Sequence, residues 1–535
     1  MAPTAIDDRQ SRVHLRAFDT PGRGANISAW TFTKSPQEAV VYRSRFAFEL
    51  AMAALAAILL PSVLTAQITF ERTYGGSRCE WASSGQQTAD KGYVLAGATT
   101  SFRDDSSDFY IIRTDSIGEP RWVWVGGSTG MDEAYSVRQT TDGGYIVTGY
   151  ECYYVPTSAD VYLIRFGADG RWLWTTSYGG WAWDAGCSVQ ETGDSGYIIA
   201  GYTDSYGIGG DVYLVKTDAY GDTLWTRTYG GTHRDWGYSV QQTADNGYVV
   251  AGVTGSTDAG GAGVYLIRTD ADGDSLWART YGGIQDDRCS QVQICSDSGY
   301  IMVGSTKSFG SGLYDVYLVR TSITGDTLWT RAFGGPLDDQ GFSVQQTTDG
   351  GYVIAGLTCS FGAGGSDVWL IKVDTHGDTM WTRTFGGSRD DQGMSVQQTT
   401  DGGFVVTGLT WSLGAGSDDV YLVKTDSLGM VVAVAEPKAS PTRAPALSLF
   451  CEPNPSSGTT TIHLTPFAPR HSPLALRIFD AQGRIVRSFS SLLSPPSSLT
   501  WDGRGDSGQA LPSGAYFVRV DDGNEHATTR VVLKR

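Results

Sequence analysis

Short runs of alternating apolar and polar residues, separated by Gly, Asp and Asn, fill the chain from residue 67 to about residue 426. One stretch shows the pattern clearly, with strand-like runs at 237–243, 247–252, 263–270 and 275–283. β-Branched and aromatic residues at every second position are typical of strands, and the intervening residues are typical of tight turns. None of these runs has the 3.6-residue apolar spacing of a helix.

The four-strand pattern recurs with an almost constant period. Its marker, an aromatic residue after a glycine, comes every 51 or 52 residues, at Tyr93, Tyr145, Tyr197, Tyr248, Tyr300, Tyr352 and Phe404. Seven repeats of four strands predict an all-β fold, a seven-bladed β-propeller with four-stranded blades, over residues 67–436. An open solenoid is the alternative, although 52 residues is long for one rung of a β-helix.

Two segments compete for the strand that closes the ring. Residues 70–76 match the fourth-strand pattern of residues 224–231 but precede the first full repeat, and the seventh repeat ends after its third strand at Asp426. Residues 430–435 could supply the strand from the other side. The Arg and the aromatic-Gly-Gly ending favour the N-terminal segment.

Within the repeats, the order DVYLIKTD, turn, LW resembles quinoprotein-type propellers and tandem repeats of bacterial surface proteins. The resemblance covers residues 67–436 and implies a propeller architecture. It also implies one enzymatic alternative, a secreted quinoprotein-like oxidoreductase or polysaccharide-active enzyme. Fold alone does not decide activity.

The longer connections between strands lie on one face of such a propeller, and that face is acidic. Binding sites favour long loops on a rigid scaffold, so the acids after each Gly-Gly are candidate binding residues: Asp235, Asp286, Asp287, Asp338, Asp339, Asp390 and Asp391. Paired carboxylates could ligate Ca²⁺, although no cofactor is predicted. The competing interpretation is that each Asp caps its turn or pairs with the repeated Arg227, Arg279, Arg331 or Arg383.

Other repeated residues have structural and channel roles in this interpretation. Trp225, Trp277, Trp329 and Trp381 should pack between blades. The run Asp270–Asp274 should be a turn, because the downstream Glu of a calcium loop is absent. First strands line the channel of a propeller, so channel-lining candidates are Gln87, Gln139, Gln242, Gln346 and Gln398, with Ile294 interrupting the row.

Composition excludes several function classes. The formal charge of −17 argues against nucleic acid as a partner. Seven cysteines show no zinc-ligand spacing, although a disulfide such as Cys187–Cys289 is conceivable, and the six histidines form no catalytic grouping. We predict no catalytic residue and no metal site, and favour a non-enzymatic protein.

The chain ends indicate export. Arg43 and Arg45, an apolar run and the small residues before Gln67 predict a signal peptide over 43–66, preceded by a leader or start-site artefact at 1–42. No membrane span is expected after cleavage. Residues 437–446 form a Pro- and Ala-rich linker, and short strands over 447–535 predict an Ig-like β-sandwich.

The C-terminal motifs carry a second resemblance. Residues 452–455 (EPNP), 478–484 (IFDAQGR), 501–504 (WDGR) and 512–517 (PSGAYF) resemble the Ig-like domain of the flagellar hook-capping protein and type IX secretion sorting tails. This implies contact with the secretion machinery and a place outside the cell or on the outer-membrane surface. The leading hypothesis is a secreted protein that binds a glycan, protein or surface component, and a structural cell-envelope spacer is the remaining alternative.

Overall fold

The computed structural model describes residues 67–102, 106–152, 158–257, 260–431, 448–452, 458–465, 474–480, 484–492, 498–521 and 526–534. Every regular element in these ranges is a β-strand. No helix in the described ranges is long and apolar enough to span a membrane. The predicted leader, signal peptide and linker lie outside the described residues.

The repeat region begins with β1 (Phe70–Tyr74). Six complete sheets follow along the chain. Their strands are β2 (Glu80–Gln87), β3 (Tyr93–Thr99), β4 (Asp108–Thr114), β5 (Pro120–Gly126); β6 (Asp132–Gln139), β7 (Tyr145–Glu151), β8 (Asp160–Phe166), β9 (Trp172–Tyr178); β10 (Asp184–Glu191), β11 (Tyr197–Thr203), β12 (Asp211–Thr217), β13 (Thr223–Tyr229); β14 (Asp235–Gln242), β15 (Tyr248–Thr254), β16 (Gly263–Thr269), β17 (Ser275–Tyr281); β18 (Asp287–Ile294), β19 (Tyr300–Thr306), β20 (Asp315–Thr321), β21 (Thr327–Phe333); β22 (Asp339–Gln346), β23 (Tyr352–Thr358), β24 (Asp367–Val373) and β25 (Thr379–Phe385).

The last sheet joins the two ends of the repeat region. It holds β26 (Asp391–Gln398), β27 (Phe404–Thr410), β28 (Asp419–Thr425) and, as its outer strand, β1. Strand β1 pairs antiparallel with β28, from Phe70 opposite Lys424 to Tyr74 opposite Val420. The prediction that the N-terminal segment completes this sheet is confirmed.

Within residues 67–431 the seven sheets are four-stranded and antiparallel, and they meet side by side. The first strand of each sheet contacts the first strand of the next, and β26 also contacts β2. The second and third strands are buried on both faces, and apolar clusters fill the seams between sheets. The prediction of repeated, propeller-like four-stranded units is confirmed.

A turn of one kind joins the first and second strands of each sheet. In the second sheet Thr140 Oγ1 donates to Asp142 Oδ1 at 2.6 Å, and the same oxygen accepts the Gly144 amide at 3.0 Å. Gly143 has a φ of 84°, which glycine adopts without strain. These requirements explain the sequence Thr-x-Asp-Gly-Gly at 140–144, 347–351 and 399–403. In the other four turns a non-glycine residue adopts the positive φ: Lys91, Ser195, Asn246 and Ser298.

Each first strand carries a β-bulge opposite a glycine. The register between β22 and β23 shifts between Gly341 and Ser343, so that Phe342 is the extra residue. A Cβ on the facing Gly356 would overlap the carbonyl oxygen of Gln340. The bulge bends the strand and directs its extra side chain away from the sheet.

The C-terminal region forms two further sheets from β29 (Ser448–Glu452), β30 (Thr460–Thr465), β31 (Leu474–Phe479), β32 (Ile485–Leu492), β33 (Ser498–Trp501), β34 (Gly514–Asp521) and β35 (His526–Leu533). Their orders are β29-β30-β33 and β32-β31-β34-β35. Trp501 and Tyr516 are buried in the core with ring centroids 5.5 Å apart. The Tyr516 hydroxyl donates to Pro512 O at 2.8 Å, much as the conserved tyrosine of Ig-like sandwiches binds nearby backbone.

Candidate functional site

The bulged residues of all seven first strands line one cavity of about 380 Å³. Its position is the axis around which the first strands are arranged. The bulged side chains differ in chemistry from sheet to sheet, whereas the flanking positions repeat. They are Ser83, Tyr135, Cys187, Tyr238, Ser290, Phe342 and Met394.

The residue after each bulge joins neighbouring sheets beside this cavity. The Ser84 hydroxyl accepts the Val137 amide at 3.2 Å, and Ser343 accepts the Val396 amide at 3.0 Å. The last link runs from the Ser395 hydroxyl to the Gly85 carbonyl, 3.2 Å apart. These bonds hold the cavity wall in one fixed arrangement.

A second set of links lies two residues further along each strand. The side-chain oxygen of a glutamine accepts an amide of the next sheet, as in Gln241 to Ile294 at 2.7 Å. The glutamines that act in this way are Gln86, Gln190, Gln241, Gln293, Gln345 and Gln397. In the second sheet Arg138 takes this place, so the link from β6 to β10 is missing from the set.

Two arginines line the cavity without an acidic partner among the described residues. Arg138 donates to Val137 O at 2.9 Å, and burial lowers the pKa of its guanidinium below the usual range of arginine. The guanidinium carbon of Arg288 lies 5.4 Å from the centre of the Tyr314 ring. Arg288 is the second and Arg138 the seventh residue of equivalent strands, and the bulge between these positions adds no step, so they lie at depths about 13 Å apart along the strand direction.

An aromatic arc, defined as Tyr135, Tyr150, Trp183, Tyr202 and Trp236, lies beside the cavity over the second to fourth sheets. Ring centroids of Tyr135 and Tyr150 are 5.7 Å apart, and those of Tyr150 and Trp183 are 5.2 Å apart. Trp183 Nε1 donates to the Tyr202 hydroxyl at 3.1 Å, and the Tyr202 ring lies 5.3 Å from that of Trp236. The arc therefore forms a continuous half-buried aromatic surface.

Burial raises the pKa values of two groups beside the arc, Glu133 and Cys187. Burial raises the pKa of Glu133, although the hydroxyls of Tyr150 and Tyr135 oppose the shift by hydrogen bonding to its carboxylate. Burial also raises the pKa of the Cys187 thiol to about 12. The thiol is therefore a poor nucleophile at neutral pH.

Four of the predicted acidic binding residues are structural. Asp235, Asp287, Asp339 and Asp391 have no exposed surface. Each accepts a glycine amide four residues earlier and a serine hydroxyl of the next connection, as Asp339 does from Gly335 at 2.7 Å and Ser360 at 2.7 Å. Because they are enclosed by their own loops, these four carboxylates are not part of the open surface of the loop face.

The other three predicted acids are half-buried and also hold loops. Asp338 Oδ1 accepts the Tyr314 amide at 3.2 Å, and Asp390 Oδ1 accepts the Ser366 amide at 2.8 Å. Asp286 accepts the Ala262 amide at 3.2 Å and lies 3.7 Å from Lys307 Nζ. These residues remain on the loop face, where some of their surface is open to solvent.

The predicted channel glutamines reach backward to the preceding sheet. Their side-chain oxygens accept main-chain amides of its first turn, at 2.8 to 2.9 Å, and none lines the 380 Å³ cavity. The bonds are Gln87 to Thr400, Gln139 to Ala89, Gln242 to Gly193, Gln346 to Ser296 and Gln398 to Thr348. Gln139 also lines a smaller cavity of about 220 Å³ beside Arg138.

The repeated tryptophans pack between sheets, as predicted. The ring of Trp225 meets Tyr248 of the next sheet at 5.8 Å in an edge-on arrangement. Arg227 lies over Trp225 at 5.5 Å and pairs with Asp274 of the next sheet at 3.2 Å. The repeated arginines therefore stabilise the outer rim, and the suggestion that they pair with the acids after Gly-Gly is corrected.

The structure also shows the surroundings of the other residues that the sequence singled out. The amides of Asp272 and Asp274 both donate to Asp270 Oδ1, which confirms a turn at this position. Cys187 and Cys289 are free thiols, so the conceivable disulfide between them is absent. Among the described residues, no three His, Cys, Asp or Glu side chains converge on a point where a metal could bind.

The ring of bulged residues and both cavity arginines were not predicted from the sequence. Which side chain turns to the axis depends on the bulge, and the alternation of the strand does not reveal a bulge. A signal was nevertheless present. In repeats that are otherwise nearly identical, the position before the conserved serine varies from Ser to Tyr, Cys, Phe and Met.

Comparisons with known proteins match a family model and a relative to parts of this chain. The FlgD Ig-like domain model matches residues 454–525. The chain is similar to the regulatory protein FlaEY of Caulobacter vibrioides, with 28% identity over 198 residues that cover 32% of this chain. It spans only a fifth (20%) of the length of that relative.

Solved structures with a similar arrangement share little sequence. PorZ, a surface component of the type IX secretion system of Porphyromonas gingivalis, aligns with a TM-score of 0.33 and 11% identity, over 83% of this chain and 69% of PorZ. The Pan2 WD40 domain of Neurospora crassa aligns with a TM-score of 0.40 and 9% identity, over 65% of this chain and 98% of that domain. The part of the chain that the structure describes is all-β, with repeated propeller-like sheets followed by a FlgD Ig-like domain.

Proposed function

We propose that this chain is an exported, non-enzymatic protein of the bacterial cell surface whose seven sheets close into a seven-bladed propeller. The propeller binds an acidic glycan in the axial cavity. The observation that carries this proposal is Arg138, which replaces a linking glutamine and lines the cavity without an acidic partner among the described residues.

Arg138 has a structural cost that a ligand would offset. The six linking glutamines show that a glutamine fits this position and adds a hydrogen bond between sheets. A guanidinium carries five N–H donors and a fixed charge, and removing it from water is unfavourable without an anion. In a chain with a formal charge of −17, an unpaired arginine inside the axis favours an anionic ligand.

The remaining lining suits a sugar. Serine hydroxyls and Gln291 and Gln340 offer hydrogen bonds, while Tyr135, Tyr238 and Phe342 offer flat apolar faces. The C–H face of a pyranose packs on such rings, and the aromatic arc extends this surface beyond the cavity. A carboxylated or sulfated saccharide would use both features.

The same lining argues for binding in preference to hydrolysis. Glycoside hydrolysis generally uses two carboxylates that flank the scissile bond. The side chains that line this cavity are hydroxyl, amide, guanidinium, thiol, thioether and aromatic groups. This set can hold an anion and orient a ring.

The C-terminal domain serves, in this proposal, as a secretion and attachment module. The support is the match to the FlgD Ig-like domain and the ordered motifs of residues 452–517. The test is to express the full chain and a chain ending at residue 436 in a host with type IX secretion, and to follow both in the medium and on the cell surface. Equal export of both chains would contradict this role.

The binding proposal is tested with polygalacturonate, dextran sulfate and neutral dextran immobilised on separate surfaces. The full chain should bind the two acidic polymers and not the neutral one. Arg138→Gln, which restores the residue found in six other sheets, should weaken binding at least tenfold while preserving stability.

The matched control is Arg227→Gln, which removes an equal charge from the outer rim and should leave binding unchanged. Unchanged binding by Arg138→Gln would overturn the proposal, as would equal losses in both variants. Equal loss would identify a diffuse charge effect and no axial site.

A further inference from the structure

A buried pair of carboxylates lies in the seam between the fifth and sixth sheets. Asp315 begins β20 and is 2% exposed, and Asp339 begins β22 and is fully buried. Both are directed at Gly334, which follows β21. A Cβ on this glycine would overlap Asp315 Oδ1 and lie 2.9 Å from Asp339 Oδ2. The two carboxylate oxygens therefore pack against the same side of Gly334 and lie within about 5 Å of each other.

The oxygen of Asp315 that faces Gly334 and Asp339 is unpartnered. Asp315 Oδ2 accepts the Ser311 amide at 2.7 Å, whereas Oδ1 is buried and has no hydrogen-bond partner. Within the described residues no Lys or Arg pairs with either carboxylate. A buried anion without compensation is unfavourable.

We infer that this seam holds a divalent cation, with Ca²⁺ as the ion its chemistry fits. Calcium takes carboxylate oxygens at about 2.3–2.6 Å, and it accepts water and main-chain carbonyls to complete its shell. One ion between Asp315 and Asp339 would neutralise the pair and tie adjacent sheets together. With two carboxylates, the affinity should resemble that of extracellular modules, about 10⁻⁴–10⁻³ M.

The arrangement recurs at other seams. A Cβ on Gly230 would meet Asp211 and Asp235 in the same way, and one on Gly386 would meet Asp367 and Asp391. The seam between the fourth and fifth sheets differs, because Gly263 replaces the first aspartate and only Asp287 faces Gly282. This seam is a natural control. The inference is independent of the axial ligand.

The test measures bound Ca²⁺ by equilibrium dialysis and the unfolding temperature of the full chain, in millimolar CaCl₂ and in chelator. The wild-type protein should be more stable in Ca²⁺. Asp339→Asn and Asp315→Asn should each bind one Ca²⁺ fewer and lose part of the calcium-dependent stabilisation.

Asp287→Asn is the matched control, since Asp287 accepts the same hydrogen bonds as Asp339 but lacks a second carboxylate. It should lose stability equally in Ca²⁺ and in chelator, with no change in bound ion. Gly263→Asp should bind one more Ca²⁺, because a Cβ there meets only ordinary contacts of 3.4 Å or longer.

Unchanged Ca²⁺ binding in Asp315→Asn and Asp339→Asn would overturn the inference, as would identical unfolding temperatures of the wild-type protein in Ca²⁺ and chelator. Should Asp339→Asn fail to fold, Asp315→Asn decides, because Asp315 is held by a single amide in the described contacts. An Asp315→Asn variant that is more stable than wild type in both conditions, with unchanged bound Ca²⁺, would identify a proton-sharing pair.

Discussion

The side-chain oxygen of Gln397 accepts a hydrogen bond from the main-chain amide of Gln87 at 2.7 Å, although 310 residues separate them. Gln87 in turn accepts the Thr400 amide at 2.9 Å. These bonds join the first strands of the last and first sheets. Together with the pairing of β1 and β28, they connect the two ends of the repeat region at its inner and outer edges.

The outer connection depends on Phe70, which is 7% exposed and lies 5.9 Å from the Tyr93 ring of the first sheet. Phe70→Ala should lower the free energy of unfolding by about 3–5 kcal/mol, because it leaves a cavity where the sheets meet. Urea denaturation measures this. Leu276→Ala is the control; its side chain is 57% exposed, and the change should stay within about 0.5 kcal/mol. Equal effects of both changes would contradict the structural role of β1.

The closing strand was predictable from sequence, and the reason is repetition. Because residues 70–74 carry the same Arg and aromatic pattern as Thr223–Tyr229, the same local structure follows in both. The turns were predictable for the same reason, since an Asp and a Gly recur at fixed places in each of them. Seven copies of one signal are stronger evidence than any single copy.

The bulge in each first strand should be intolerant of a side chain on the facing glycine. Gly356→Ala places a Cβ against the Gln340 carbonyl, a backbone atom that cannot move without breaking the β22–β23 register. We expect a loss of about 1–3 kcal/mol, measured by thermal or urea unfolding. Gly193→Ala is the control, because its nearest neighbour would be 3.7 Å away. A neutral Gly356→Ala would show that the bulge is absent.

Acid should destabilise the repeat region through its buried cations. Lys216 is buried and lies 2.8 Å from Asp194. Burial alone would raise the pKa of Asp194, but hydrogen bonds from Lys216, Thr192 and Gly196 outweigh it and lower the pKa to about 2. The stability from this pair is present above pH 4, near the unfolded pKa, and is lost as the pH falls towards 2.

Asp194→Asn should therefore reduce stability at pH 7 and flatten the decline in stability between pH 4 and pH 2. Unfolding followed by circular dichroism across this range measures both effects. Similar pairs occur in the other sheets, where the pKa of the aspartate is also lowered: Asp90, Asp142, Asp245, Asp297, Asp349 and Asp401. If the variant loses stability between pH 4 and pH 2 as steeply as the wild type, the pKa of Asp194 is not lowered by folding.

Cys187 should react slowly with alkylating reagents despite its place in the cavity wall. With a pKa of about 12, its thiolate fraction at pH 8 is about 10⁻⁴. Iodoacetamide labelling followed by mass spectrometry should modify Cys187 only after unfolding. Rapid labelling of the native protein, or a Cys187–Cys289 disulfide, would contradict the structure.

The candidate site was less predictable than the fold, for a physical reason. Gln87 and its equivalents were expected in the channel because they end the strands that line it, but they reach back to the preceding turn. The bulge makes residues such as Tyr135 line the axis instead. Asp339 and its equivalents were candidates because they are acids on the face with the longer loops, and they recur because each holds its own loop. The informative position was that of the bulged residue, because its side chain differs from repeat to repeat.

The most direct test of the axial site is a density map of the full chain with an acidic oligosaccharide, such as a trigalacturonate, collected beside a map without ligand. The account predicts ligand density on the axis, with a carboxylate at hydrogen-bonding distance from the Arg138 guanidinium and a sugar ring against Tyr135 or Tyr238. Density confined to the outer rim or to the Ig-like domain, with the axial cavity unchanged, would contradict it.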